Sequence, residues 1–159
     1  MSSSQQIYAL FERELALFSQ LFNLFQTEKE ILKKRDTDAL QALQLEKQPL
    51  IAELEQLQTD TDSVLKQAGF EKGLADINAF IDQQPVQEQG KLQTLWQELA
   101  ASGEKCHMEN LTIGGIVELN RLQVETALGI LRGGKIGPTE YNTEGRLENK
   151  AVSQSLAKA

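Results

Sequence analysis

Residues 1–68 contain no glycine and a single proline, Pro49, and their apolar side chains recur at steps of three and four. A stretch of that length with almost nothing to free or break the backbone is built for long helices. Phe11, Phe18, Phe25 and Leu32 recur every seven residues, flanked by Leu10, Leu17, Leu21, Leu24 and Ile31. The spacing predicts a first helix with a broad apolar face. Lys33, Lys34 and Arg35 suit a helix C-terminus, and Asp36 and Asp38 suit the start of the next helix. A tight helical hairpin about residue 36 follows.

The second helix carries Leu40, Leu43, Lys47, Leu50, Leu54, Leu57, Thr61, Val64 and Ala68 on one stripe, the pattern of a helix lying along another over a long distance. Pro49 inside it predicts a kink or a short break, and Gly69 a stop. "FEKGLADINAFIDQQP" is a short segment with Phe70, Leu74, Ile77 and Ile81 on one face, weakened by Gly73 and ended by Pro85. A last long helix begins near Val86. Its stripe is Leu92, Trp96, Leu99, Gly103, Cys106, Asn110, Ile113, Val117, Asn120, Val124, Ala127 and Leu131. After Leu111 its apolar face widens to include Ile116, Leu119, Leu122, Leu128 and Ile130, while Gly114 and Gly115 predict close approach of a neighbour or a bend.

Gly133, Gly134, Gly137 and Pro138 end the periodicity. Residues 133–159 carry four basic and three acidic groups, against seven and eleven in 1–68 and five and nine in 69–132. The final segment is therefore not part of the acidic surface. With Ile136, Tyr141, Leu147, Val152 and Leu156 as its only large apolar groups, it cannot build its own core. The expected fold is all-α: an elongated antiparallel bundle of three to four helices over residues 1–132. Residues 133–159 form a Gly/Pro-hinged tail, flexible or ordered by a partner.

A net charge of −7 argues against a nucleic-acid partner, which would need clustered Lys and Arg. The lone Cys106 excludes an internal disulfide and fits a reducing, cytoplasmic setting. "MSSSQQIYALFERE" lacks the basic start of a secretory signal, and no apolar run has the length of a membrane span. "CHMEN" sets a thiol beside an imidazole, but neighbouring helical residues point about 100° apart. No second His or Cys exists to complete a metal site. No Ser lies in a nucleophile elbow, and neither "LTIGGIVEL" nor "LRGGKIGPT" has phosphate-loop spacing. The residues point to no enzyme, no cofactor and no metal.

Glu14, Glu28 and Lys47 fall on apolar faces. In an antiparallel hairpin Glu28 and Lys47 lie at comparable distances from the turn, so they either pair and fix its register or snorkel to solvent. The wide apolar face beyond Leu111, next to a tail with no core of its own, is the mark of a partner site.

Three stretches, taken in order, resemble the FlgN family of flagellar export chaperones. They are "LFNLFQTEKEILKKRDTDALQALQLEKQPLIAEL", "NLTIGGIVELNRLQVETALGILRG" and "EYNTEGR", which together reach from about residue 15 to 146. The resemblance implies a cytoplasmic chaperone that binds the C-terminal helical segment of the unassembled hook–filament junction proteins FlgK and FlgL. It would prevent their premature assembly and deliver them to the export gate. The gate component FlhA is an implied partner and FliJ a further candidate. By its place in "EYNTEG", Tyr141 is the candidate gate contact. Val124, Leu128 and Leu131, with Leu147, Val152 and Leu156, are the candidates for holding cargo. The competing expectation is a structural coiled-coil protein that dimerises through the stripe from Leu92 to Leu131. Whether the body is a monomer or a dimer stays open, because a heptad seam closes equally well within or between chains.

Overall fold

A computed structural model describes residues 1–131, with side chains through residue 122. It has four α-helices, α1 (Ser3–Lys34), α2 (Thr37–Gln67), α3 (Ile77–Asp82) and α4 (Val86–Leu131), with a 3-10 turn (Gly73–Asp76) before α3. The described residues contain no strand, and the fold is the expected all-α bundle.

Local chemistry sets the helix ends. At the start of α1, Ser2 and Gln5 form a reciprocal capping box. At its end Arg35 turns left-handed (φ 55°), and the Arg35 and Asp36 amides donate back to the Leu32 and Ile31 carbonyls. Asp36 then accepts from the Ala39 amide and opens α2. The hairpin is as tight as the charge pattern predicts.

The backbones of α2 and α4 both pack on α1 and scarcely approach each other. Arg13 bonds Glu53 and Glu28 bonds Lys47, so α2 runs antiparallel to α1. Ser4 bonds Glu88, the Cys106 thiol donates to the Phe18 carbonyl, and Asn120 donates to the Leu32 carbonyl. Those contacts lie in rising order on both helices, so α4 runs parallel to α1. The core divides into two clusters. One gathers Ile7, Phe11, Leu65, Phe80 and Leu92 around the short segment, and the other gathers Leu17, Leu21, Phe25, Leu54 and Cys106 towards the hairpin. Phe11 and Trp96 stack at 5.4 Å between ring centres.

Four expectations change in detail. α2 runs through Pro49 without a break. Pro49 and Leu45, whose carbonyl loses its helical donor to the proline, are both exposed, so water can take that carbonyl. On α2 it is Leu65 that is buried, while Ala68 lies exposed. On α4, Asn110 and Val117 lie exposed rather than in the seam. Leu92, Leu99, Cys106 and Ile113 stay buried at seven-residue spacing, while the second row of the seam falls one residue earlier than the stripe, at Leu95, Glu109 and Ile116 rather than Trp96, Asn110 and Val117. Gly115 has no atom within 4 Å of a hypothetical Cβ, so close approach does not explain it.

Gly73 does more than weaken a helix. Its φ is 61°, and a Cβ there would collide with Asp62, whose carboxylate accepts from the Leu74 amide at 3.0 Å.

Four charged residues are buried: Glu14, Glu28, Lys47 and Glu118 are 4%, 3%, 9% and 9% exposed. Lys47 Nζ stands 2.9 and 3.2 Å from the two Glu28 oxygens, and Gln44 donates to Glu28 Oε2 at 3.1 Å. Glu14 has no cation partner among the described residues. Burial lifts its carboxyl from the ordinary 4.5 to about 7, against a smaller downward pull from the Thr61 hydroxyl.

Two predictions follow from these buried charges. Lys47→Met alone strands a buried carboxylate and costs roughly 2–4 kcal/mol. Pairing it with Glu28→Leu recovers more than about 1 kcal/mol, read as the coupling in a urea-denaturation cycle. Glu14 gives the opposite pH sign to an ion-paired carboxylate. The folded state holds its proton up to about pH 7 while the unfolded chain releases it near 4.5, so stability falls as pH rises through that window. The decline from pH 5 to 8 is roughly 1–3 kcal/mol, allowing for solvent screening. Glu14→Gln removes that decline. Glu53 and Glu109, held down by hydrogen bonds from Arg13 and Lys29, act only below the usual carboxylate range and leave the window clear.

Candidate partner-binding face

The second half of α4 carries more apolar surface than its neighbours cover. Cys106 and Ile113 turn towards α1 and are 5% exposed each. Met108, Leu111, Gly115 and Leu119 follow at steps of three, four and four, which sets them on the opposite side of the helix. Met108, Leu111 and Leu119 are 54%, 45% and 62% exposed. The widened face expected from the sequence takes in Leu119 but not Met108, although both obey the same spacing shifted around the helix. Ile116, included there too, is half-buried against the α1–α2 cluster.

The far end of α4 has a defined anchor. Asn120 Nδ2 donates to the Leu32 carbonyl at 3.3 Å, a second donor beside the Arg35 amide on that carbonyl in the last turn of α1. From Asn120 to Leu131 the helix continues for roughly 16 Å, at 1.5 Å per residue, whereas α1 ends at Lys34. The last turns of α4 therefore run past the hairpin. Val124, Leu128 and Leu131 belong to those turns. Tyr141, Leu147, Val152 and Leu156 lie outside the described residues. Glu28 and Lys47 sit in the hairpin core, apart from this face.

The face is bordered by ion pairs, Lys29 with Glu109 at 2.6 Å and Arg121 with Glu118 at 2.6 Å. Hydrogen bonding from Arg121 holds the Glu118 carboxyl below its ordinary range. Lys105 stands over the Phe22 ring, 4.4 Å from its centre. A stripe of this kind has the spacing at which an apolar helix face can be buried. The Cys106 thiol is buried, and burial pushes its pKa up, away from the reactive thiolate. His107 beside it is exposed. Among the described residues no three His, Cys, Asp or Glu side chains stand together as a metal site, and no helix is long and apolar enough to cross a membrane.

No curated protein and no solved structure gives a significant match to the chain. One family model does match it, described as FlgN protein, over residues 1–149. The match takes in all of the described helices, Tyr141 and Leu147, and stops before Val152 and Leu156. Because it spans nearly the whole sequence, the chain belongs to the FlgN family of flagellar export chaperones.

Proposed function

We propose that this chaperone works in the cytoplasm, binding the C-terminal helical segment of unassembled FlgK and FlgL, and that it is not an enzyme. It keeps these hook–filament junction proteins from assembling early and delivers them to the export gate, with FlhA as the gate partner and FliJ as a further one. The observation that carries this reading is the exposed apolar stripe of Met108, Leu111 and Leu119, continuous along α4 with the turns that bear Val124, Leu128 and Leu131. An amphipathic cargo helix buries its apolar face on such a stripe at the same three-and-four spacing.

In this reading residues 1–132 are the body and 133–159 the segment that closes over cargo through Leu147, Val152 and Leu156. Tyr141 offers the gate an amphipathic contact within a polar stretch. The ordering cost of that segment keeps cargo binding reversible, as delivery requires.

The test is titration calorimetry with a FlgK C-terminal peptide. The full chain binds, ending it at Arg132 weakens binding at least about tenfold, and Leu119→Asp does the same. Leu119 is exposed, so that change leaves the fold intact. If neither FlgK nor FlgL peptides bind and melting depends on the chain's own concentration, the stripe is instead the seam of a coiled-coil dimer.

A further inference from the structure

Midway along the bundle, α1, α2, the 3-10 turn and α4 enclose a cleft of about 190 Å³. Its walls are Phe11, Phe18, Trp96 and Leu99, and Gly103 leaves its α4 side open. Glu14 lines it too, as the one titratable group to do so.

That carboxyl is short of donors. Thr61 Oγ1 lies 3.1 Å from Glu14 Oε1 but 2.8 Å from the Leu57 carbonyl, and the hydroxyl has one hydrogen for the two acceptors. Among the described residues no donor or cation stands against Glu14 Oε2, and it is not among the fully buried oxygens, so only solvent entering the cleft serves it. An ionised carboxylate that is only 4% exposed, with one oxygen sharing a proton and the other met by solvent through a narrow opening, is poorly solvated and gains from a donor that enters the cleft.

We infer that this cleft receives a lysine side chain from a protein partner, its stem against Phe18 and Trp96 and its ammonium on Glu14 Oε2. The chemistry selects lysine. A purely apolar side chain leaves the carboxylate unmet. An arginine fork seeks two parallel carboxylate oxygens, and Thr61 already occupies one of them. An ammonium is a point charge that one oxygen satisfies, the surrounding rings favour a cation, and a four-carbon stem suits apolar walls. The volume is right as well, since a cavity of ~150 Å³ accepts benzene.

The approach also favours a basic partner. The cleft adjoins a second depression, lined by Glu55, Thr59 and Asp62 and sharing Gln58 and Leu74 with it. Asp62 is paired with Lys66, whereas among the described residues no cation pairs with Glu55. These are the charged groups that α2 brings to the mouth, and neither α4 nor the 3-10 turn adds a titratable group to the cleft lining. The cleft is independent of the distal α4 face and of the cargo assigned to it.

Trp96 is the only tryptophan, so its fluorescence reports this site alone. Full-length protein is titrated with N-acetyl-lysine-N-methylamide and with its norleucine counterpart, which has the stem without the ammonium. The lysine derivative binds saturably, and about tenfold more tightly at pH 8 than at pH 6, because Glu14 ionises near 7. The norleucine derivative binds weakly and without pH dependence. Glu14→Gln abolishes both the preference and the pH dependence. Gly103→Leu blocks the cleft with its helix retained by circular dichroism, since a Cβ at Gly103 meets Phe18 at an ordinary 3.6 Å. Equal binding of the two derivatives, no saturation, or unchanged binding by Glu14→Gln overturns the proposal. So does binding of n-butylammonium without binding of the lysine derivative, which would make the cleft a site for free amines.

Discussion

Helix α1 has to satisfy two neighbours at once. Because α2 and α4 pack on it and not closely on each other, its apolar surface must be wide enough for both. Ile7, Phe11, Leu17, Leu21, Phe25 and Leu32 are all at most 7% exposed, and they supply that double width. Large aromatic and branched side chains suit it, since each reaches across more than one interface. Removing one leaves a cavity shared by two contacts, so damage on α1 spreads through the bundle more than equal damage on α2 or α4.

Apolar stripes by themselves allow a helix to slide by a turn, and polar groups at fixed heights oppose this. Glu28 with Lys47 holds α2 against α1 near the hairpin, and Asn120 ties α4 to the last carbonyls of α1. Lys29 with Glu109 adds a rung between them. Each is costly to bury unpaired, so a shifted register is penalised more than the correct one is rewarded. Glu14 is the exception: it is buried at the same depth but left with an incomplete set of partners.

Features set by neighbours in sequence were legible in the chain. The hairpin at Arg35 and Asp36, the stop at Gly69 and the start of α4 near Val86 depend on caps, charges and glycine or proline chemistry within a few residues. Features set by distant partners were not. Gly73 is needed because Asp62, on another helix, leaves no room for a Cβ. The α4 seam keeps its seven-residue row of Leu92, Leu99, Cys106 and Ile113, but its second row takes Ile116 rather than Val117, a choice set by where α1 lies and recorded by no local signal. The apolar surplus on α4 was visible as a widened face. Which part stays uncovered, Met108 and Leu119 but not Ile116, follows only from where α1 lies. The Glu14 cleft has the same origin, since three helices build it.

If distal α4 is the cargo face, as proposed, cargo is held at one end of the bundle without rearrangement of the core built on α1. Amide hydrogen exchange of the full chain, with and without a FlgK C-terminal peptide, tests this most directly. The account predicts that cargo slows exchange in α4 beyond about Met108 and in residues 133–159, leaving the α1–α2 interface around Phe11, Leu21 and Leu54 unchanged. Protection gained mainly at that interface, or lost there, would contradict it.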